Sequence, residues 1–246
     1  MDQGIERGHA RVIGAAPAPV SVGVPAARAF TGLDGAMLGS LALSVALDLI
    51  WARLGAGWVT AALTDTLVGA YMGALCLRAA WRPVLARLAL FGLVAGVLEL
   101  ATDVAGERVV HSLMYPAGEP LLWGSPVYMP LSWMLVMMQV GYLAWRLRAL
   151  VGSGAAVALA ALWTGLNIPF YEEMAYHAGW WRYAAAPGLG HTPYYVMLFE
   201  ALIGASLPLL LAGLAHWRWR DTIWRGMVAG AWLPAAALAS WLLIGR

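Results

Sequence analysis

Seven acidic side chains interrupt long apolar stretches of this 246-residue chain. They are Asp48, Asp65, Glu99, Asp103, Glu172, Glu173 and Glu200. An ionisable group inside an apolar segment is costly unless it is paired, solvated or neutral. A carboxyl group held among apolar side chains can keep its proton near neutral pH and act as a general acid. Aromatic faces attract a developing positive charge. Acids and aromatic rings together could therefore protonate a carbon–carbon double bond and shelter the resulting carbocation.

The acids and the neighbouring aromatic residues define a candidate site. We expect the proton donor to be Glu172 or Glu173. Glu99 or Asp103 would be its counterpart from an earlier segment, and Glu200 would complete the catalytic set. Six further residues are expected to bind the substrate through ring faces, hydroxyl groups or a carboxylate: Tyr128, Trp133, Trp181, Tyr183, Tyr195 and Asp65.

The elements that carry these residues are membrane-spanning helices. Hydrophobic residues make up 62% of the chain and charged residues only 11%, which is too little polar material to cover a soluble globule. The mean hydropathy of +0.72 agrees. A net charge of +2 is too small to indicate nucleic-acid binding. Since Cys76 is the only cysteine, a disulfide within the chain and a thiolate metal site are excluded. The predicted fold is an all-α polytopic membrane protein.

Apolar runs long enough to cross a hydrocarbon core of about 30 Å recur seven times. We predict spans near 35–52, 57–77, 84–104, 126–146, 150–171, 193–216 and 224–244. With seven spans, eleven of the fifteen arginines fall on one side, and the positive-inside rule places that side in the cytoplasm. The N-terminus would be cytoplasmic and the C-terminus outside, in a bacterial inner membrane. Residues 1–30 would form a flexible cytoplasmic tail and residues 31–246 a single transmembrane domain.

Two outer loops, predicted at 105–125 and 172–192, are rich in Trp, Tyr, His, Gly and Pro. The segment Ser125–Tyr128 in the first loop matches Thr192–Tyr195 in the second. These matches predict an internal helix-loop-helix repeat with units at about 84–146 and 150–216. A repeat of this kind usually places a site at the interface of its two copies.

The second loop carries a resemblance to a known enzyme class. Its sequence EEMAYHAGWWRY resembles a segment of the heterodimer-type lycopene cyclases, in which an acid, an alanine, a glycine, a tryptophan and an aromatic residue recur at the same spacing. The matching residues here are Glu172, Ala175, Gly179, Trp181 and Tyr183. It is also similar to acid- and glycine-bearing loops of membrane carotenoid hydratases. The chain departs from the cyclases after this segment, where their Pro-x-Glu-Glu motif is replaced by Pro193, Tyr194 and Tyr195.

The resemblance implies a membrane-embedded cyclase or hydratase of a carotenoid-like or other terpenoid polyprenoid. The predicted chemistry needs no redox cofactor, and no metal ligand is assigned to this site. The partners would be an apolar, lipid-like substrate and membrane lipids, and the sequence leaves a homo- or hetero-oligomer open.

Two other functions fit parts of the pattern. Acid and histidine four residues apart lie on one helical face, so two Glu/His pairs could hold a metal with oxygen and nitrogen ligands. These pairs are Glu107 with His111 and Glu173 with His177, to which His191 could add a ligand. Acids inside the bilayer also serve proton-coupled carriers. A carrier usually has broken helices, and the spans contain little proline away from their ends.

Overall fold

A computed structural model describes residues 29–245 of the chain. The predicted tail, residues 1–30, therefore lies outside the described residues except for its last two positions. Within the described part the chain forms seven α-helices. They are α1 (Gly32–Leu54), α2 (Val59–Cys76), α3 (Arg82–Val104), α4 (Met129–Val151), α5 (Ser153–Ala178), α6 (Tyr194–Leu210) and α7 (Trp219–Ile244). A π-helical turn, Ala105–Val109, extends α3, and a 3-10 turn, Leu214–His216, precedes α7.

Six of the seven helices are long and apolar enough to cross a membrane. The remaining helix, α6, is apolar but has only 17 residues. Many large apolar side chains point outward from the helices, including Leu162, Leu166 and Leu243. Such exposure would be unfavourable in water and is suited to lipid. The prediction of an all-α integral membrane protein is confirmed.

Local sequence explains where several helices begin and end. Thr31 and Asp34 form a capping box at the start of α1, in which each side chain binds the other residue's backbone N–H. Gly55 and Gly179 end α1 and α5 in the left-handed conformation that glycine adopts readily. The helices α5, α6 and α7 each contain an internal proline, and each continues through it without a break.

Glycines set the closest helix contacts. On α3, a Cβ at Gly96 would lie 2.8 Å from the backbone oxygen of Pro130 on α4. On α7, a Cβ at Gly230 would lie 2.6 Å from the Leu98 Cβ of α3. Small residues allow helix backbones in a bilayer to approach closely, where dispersion contacts replace the hydrophobic effect as the source of packing energy. The helix α3 is thus held between α4 and α7.

Six short strands lie in the two loops at one end of the helices. They are β1 (Leu113–Met114), β2 (Leu121–Leu122), β3 (Ser125–Pro126), β4 (Arg182–Tyr183), β5 (Gly188–Leu189) and β6 (Thr192–Pro193). The strands β1 and β4 pair antiparallel and join the two loops, with Leu113 opposite Tyr183. The pairs β2/β3 and β5/β6 are two-residue hairpins, one in each loop. The two loops therefore form one layer over this end of the bundle.

The predicted start of the second loop, at residue 172, is wrong. The helix α5 continues to Ala178, so Glu172 and Glu173 are both helical. Helix-favouring alanine and methionine follow the two acids, and the first residue that readily leaves the helix is Gly179.

The opposite end of the helices is tied together by a buried ion pair. Arg146 of α4 donates two hydrogen bonds to Asp34 of α1, from Nε to Oδ1 at 2.7 Å and from Nη2 to Oδ2 at 3.0 Å. The Tyr142 hydroxyl adds a third bond to Asp34 at 2.8 Å. Both ionic side chains are buried, with relative exposures of 6% for Arg146 and 9% for Asp34. The start of α1 is thus fixed to the end of α4.

Candidate functional site

A cavity of about 350 Å³ opens between the helices beneath the two loops. Six acidic residues from five helices line it: Asp48, Asp65, Glu99, Asp103, Glu172 and Glu200. Apolar and aromatic side chains make up most of the remaining wall, with Phe199 and Tyr171 among them. The volume and the mostly apolar lining are typical of a small-molecule site. The density of carboxyl groups is the unusual feature.

Asp103 is placed by two hydroxyl groups from the first loop. Its Oδ2 accepts hydrogen bonds from the Tyr115 hydroxyl at 2.7 Å and the Ser125 Oγ at 2.5 Å. Burial raises the pKa of Tyr115 well above its ordinary value, so this phenol keeps its proton and remains a donor. The first loop therefore both covers the cavity and orients Asp103.

Glu99 lies one helical turn before Asp103 on the same face of α3. Its side chain is next to the Asp103 carboxyl and the Trp133 ring. Glu99 is only 2% exposed, and its Oε2 has no hydrogen-bond partner among residues 29–245. Buried polar atoms almost always have partners, so this oxygen is available to a water molecule or a ligand in the cavity.

Glu172 is placed by the second loop. Its Oε2 accepts a hydrogen bond from the Trp181 Nε1 at 2.7 Å, and its Oε1 accepts one from the Tyr183 hydroxyl at 3.2 Å. Burial raises the pKa of Tyr183 well above its ordinary value, which keeps this hydroxyl protonated. Both oxygens of Glu172 accept hydrogen bonds, whereas the Oε2 of Glu99 has no partner among residues 29–245.

A second group of acids, on α1 and α2, also lines the cavity. The Ser132 Oγ donates a hydrogen bond to Asp65 of α2. Asp48 of α1 is 5% exposed, and its Oδ1 has no partner in the part of the chain that the structure describes. The two helices are joined beside these acids by the bond from Trp51 Nε1 to Thr64 Oγ1 at 3.0 Å. The cavity is thus lined by acids from α1 and α2 as well as from α3, α5 and α6.

The cavity wall includes side chains that are also exposed on the outer surface of the bundle. They come from α1, α4, α5 and α7: Val45, Val136, Trp163, Phe170 and Leu238. All are apolar, and this surface of a membrane protein faces lipid. An apolar molecule could therefore reach the cavity from within the bilayer.

Nine of the eleven residues that the sequence predicted for the site line this cavity. Of the predicted residues, Tyr128 and Glu173 are not part of the lining. The structure brings the acids together, while their catalytic or binding roles stay predictions. The cavity also contains residues that the sequence did not single out: Tyr115, Ser132, Gln139 and Tyr171. Ser132, Gln139 and Tyr171 are polar residues within predicted apolar spans, and this feature could have identified them as site residues. Nothing in the sequence around Tyr115, which lies in the first loop, indicated that it belongs to the site.

Tyr128 contacts a further acid that the sequence did not indicate. Its hydroxyl donates a hydrogen bond to Glu119 Oε1 at 2.6 Å. Glu119 belongs to the first loop but is only 6% exposed, and burial raises its pKa to about 7. The hydrogen bond from Tyr128 opposes part of this change. A carboxyl group in the loop layer is therefore able to gain or lose a proton near neutral pH.

Glu173 faces the water-accessible surface of the loop layer and contacts two histidines. Its Oε1 lies 3.1 Å from His177 Nε2, and its Oε2 lies 2.8 Å from His191 Nδ1. The other predicted pair is arranged differently. The His111 Nδ1 lies 3.0 Å from the backbone oxygen of Glu107, and the Glu107 carboxylate contacts Arg108. The Glu107 and His111 side chains therefore do not converge.

Comparison with curated proteins and with solved structures finds no match. A family described as a domain of unknown function, DUF6989, matches residues 100–244. The match includes Asp103, Glu172 and Glu200, together with both loops, and it leaves out α1, α2 and most of α3. Because it extends over more than half of the 246 residues, the chain belongs to the DUF6989 family.

Proposed function

We propose that this protein is a membrane-embedded enzyme that protonates a carbon–carbon double bond of an apolar terpenoid and directs the resulting cation to cyclisation or hydration. The observation that supports this proposal is the convergence of six carboxyl residues and several aromatic rings on one apolar cavity. The resemblance of the second loop to membrane carotenoid enzymes is consistent with the same chemistry.

The size of the cavity limits the substrate. An apolar cavity of about 150 Å³ accommodates benzene, which has six carbon atoms. By that ratio, a volume of about 350 Å³ accommodates roughly fourteen carbon atoms. The part of the substrate that reacts is therefore a terpenoid of ten to fifteen carbons or the end of a longer polyprenoid. The exposed apolar residues in the wall would let the rest of a longer chain extend into lipid.

Glu99 is the residue we assign as proton donor. It is buried, it faces the cavity, and its Oε2 is free of hydrogen bonds from residues 29–245. Asp103, one turn away, is oriented by Tyr115 and Ser125. Two carboxyl groups at one site share protons unequally because like charges repel, so one of them can remain protonated beside the other.

The proposed reaction balances without an oxidant or reductant. The O–H bond of Glu99 breaks as the double bond of the substrate supplies two electrons to a new C–H bond, which leaves a carbocation on the neighbouring carbon. A second double bond closes a ring on this cation, or a water molecule adds to it. Glu172, whose oxygens already act as acceptors, lines the same cavity and takes the proton released in the last step. Glu172 then gives up that proton to water and Glu99 regains one from water, so both acids return to their starting state. The Trp133 and Trp181 rings offer faces to the positive charge.

The topology of the proposed enzyme has seven spans, with α6 as the short one. The N-terminal end of α1 and the α4–α5 connection are at the same end of the bundle, since Arg146 binds Asp34. The α2–α3 and α6–α7 connections lie next to each other, because the Arg87 Nη1 near the start of α3 donates a hydrogen bond to the Ala215 backbone oxygen at 3.2 Å. This arginine-rich end would be cytoplasmic. The loop layer and the acids would then lie near the outer face.

The proposed internal repeat gains support from the two hairpins. In each loop, a Ser/Thr–Pro pair forms the second strand, as β3 in one and β6 in the other. Each hairpin turns through two residues, Trp123–Gly124 in the first and Gly190–His191 in the second. The antiparallel pairing of β1 with β4 joins the two units at their loops.

The test is lipid-extract mass spectrometry after expression of the full chain in hosts that accumulate acyclic terpenoids. One host should supply polyprenoids of ten to twenty carbons and another an acyclic carotenoid. A product of unchanged mass would indicate cyclisation or isomerisation, and a product heavier by one water would indicate hydration. We expect Glu99→Gln to lower product formation by about 10²- to 10⁴-fold, the usual contribution of a positioned general acid.

The matched control is Asp221→Asn, which removes an exposed acid at the opposite end of the bundle. It should keep wild-type turnover. Glu172→Gln should lower turnover as well and should release partly reacted products, because the cation is less well stabilised. Full turnover in both Glu99→Gln and Glu172→Gln would contradict the proposed mechanism.

A further inference from the structure

Three side chains outside the cavity form a compact group at the end of α5. They are Glu173 and His177 on the helix and His191 in the turn of the β5/β6 hairpin. One ligand atom from each lies within 4.8 Å of those of the other two. All three side chains are between one third and about one half exposed, so ions from water can reach them.

The surroundings fix the geometry of this group. The Tyr176 ring stacks on the His191 ring with centroids 3.4 Å apart and planes 11° apart. The His191 backbone N–H also donates to Glu173 Oε2 at 3.3 Å. Gly190 has a positive φ of 61°, and a Cβ at this position would lie 2.8 Å from Glu173 Oε2. The positive φ favours glycine at position 190, where the hairpin approaches Glu173 closely.

We propose that Glu173, His177 and His191 bind one divalent transition-metal ion of the zinc type. Two imidazole nitrogens and one carboxylate oxygen are a common ligand set for such ions. Zinc–nitrogen and zinc–oxygen bonds of about 2.0–2.1 Å place neighbouring ligand atoms of a tetrahedron about 3.3 Å apart. The Glu173 Oε1 lies 3.1 Å from His177 Nε2 and the Oε2 lies 2.8 Å from His191 Nδ1, both near that spacing. The three ligand atoms lie within 4.8 Å of one another, so metal binding requires them to move closer together. A fourth coordination position would be open to water.

This site goes beyond the proposed reaction, because the group lies outside the cavity. Its expected effect is to fasten the β5/β6 hairpin to the end of α5. Glu172, which lines the cavity, is the residue immediately before Glu173 on that helix. Metal binding should therefore raise the thermal stability of the loop layer and can be measured without any substrate.

The test uses the purified full chain in detergent micelles, treated with a chelator and freed of any purification tag. Titration with Co²⁺ should give visible d–d absorption bands at one ion per chain, and Zn²⁺ should displace the Co²⁺. We expect Glu173→Gln and His191→Asn to raise the Kd for Zn²⁺ at least tenfold. Zn²⁺ should raise the melting temperature of the wild type by more than that of either variant.

The matched controls are Glu107→Gln and His111→Asn. They change an acid and a histidine at the same spacing in the first loop, whose side chains do not converge. Both should bind one ion with wild-type affinity. The proposal is overturned if the wild type binds less than one ion per chain, if the cluster variants keep wild-type affinity, or if the controls lose binding equally. These readouts do not depend on the proposed protonation chemistry.

Discussion

Replacing Glu119 with Gln should remove a specific part of the pH dependence of stability. Burial raises the pKa of Glu119 from its ordinary 4.5 to about 7 in the folded protein. The folded state therefore binds this proton more tightly than the unfolded state, and folding stability falls as pH rises from about 4.5 to about 7. At about 1.4 kcal/mol for each unit of difference between the two pKa values, the loss approaches about 3.5 kcal/mol well above pH 7.

The glutamine variant keeps the shape of the side chain and carries no charge. We expect its free energy of unfolding to match that of the wild type near pH 4.5 and to exceed it by up to about 3 kcal/mol at pH 8. The assay is equilibrium unfolding in mixed detergent micelles across this pH range, followed by circular dichroism. Glu107→Gln serves as the control, because it removes another acid of the first loop and leaves Glu119 intact.

Removing the Tyr128 hydroxyl tests the same reasoning by changing the hydrogen-bond donor to Glu119 and leaving Glu119 itself in place. The hydrogen bond from Tyr128 lowers the pKa of folded Glu119, so Tyr128→Phe should raise that pKa and extend the pH-dependent loss of stability to higher pH, while the loss still begins near pH 4.5. Parallel stability curves for the wild type and Glu119→Gln between pH 4.5 and 8 would refute the argument.

Two further changes, each with a matched control, test how the helices are held together. Arg146→Ala leaves Asp34 buried without its partner and should cost about 3–5 kcal/mol of unfolding free energy, whereas Arg148→Ala on the same helix should cost less than about 1 kcal/mol. Gly230→Ala places a Cβ 2.6 Å from a neighbouring side chain and should destabilise the fold by about 1–3 kcal/mol. The control is Gly154→Ala in α5, where the added Cβ meets open space, and this change should be neutral or stabilising. Thermal unfolding in detergent measures both variants. Equal changes in melting temperature for Gly230→Ala and Gly154→Ala would contradict the packing argument.

Hydrophobicity alone determined the class of fold. Each span is a run of apolar residues, and a helix is the structure that satisfies its backbone hydrogen bonds within lipid. The seven predicted segments therefore correspond to seven observed helices, six of them long enough to span. The boundary at residue 172 was missed because hydropathy falls at the two acids while helix formation continues to Gly179.

The sequence determined only in part which acids meet at the cavity. Similar depth in the bilayer follows from position along a span, and this is why Glu99, Glu172 and Glu200 were predicted to converge. The direction in which each side chain points depends on helix rotation. Adjacent residues on a helix are about 100° apart, so Glu172 faces the cavity while Glu173 faces the surface.

The loops required the tertiary structure. Tyr115 reaches Asp103, and Tyr183 reaches Glu172, because β1 and β4 pair across two segments that are about 70 residues apart in sequence. The burial of Glu119 likewise depends on how the first loop folds over the helix ends. Local sequence specifies apolar spans and the residues that end them. Rotation, loop pairing and the partners of each carboxyl group follow only when all seven helices pack together, since each depends on side chains from other helices.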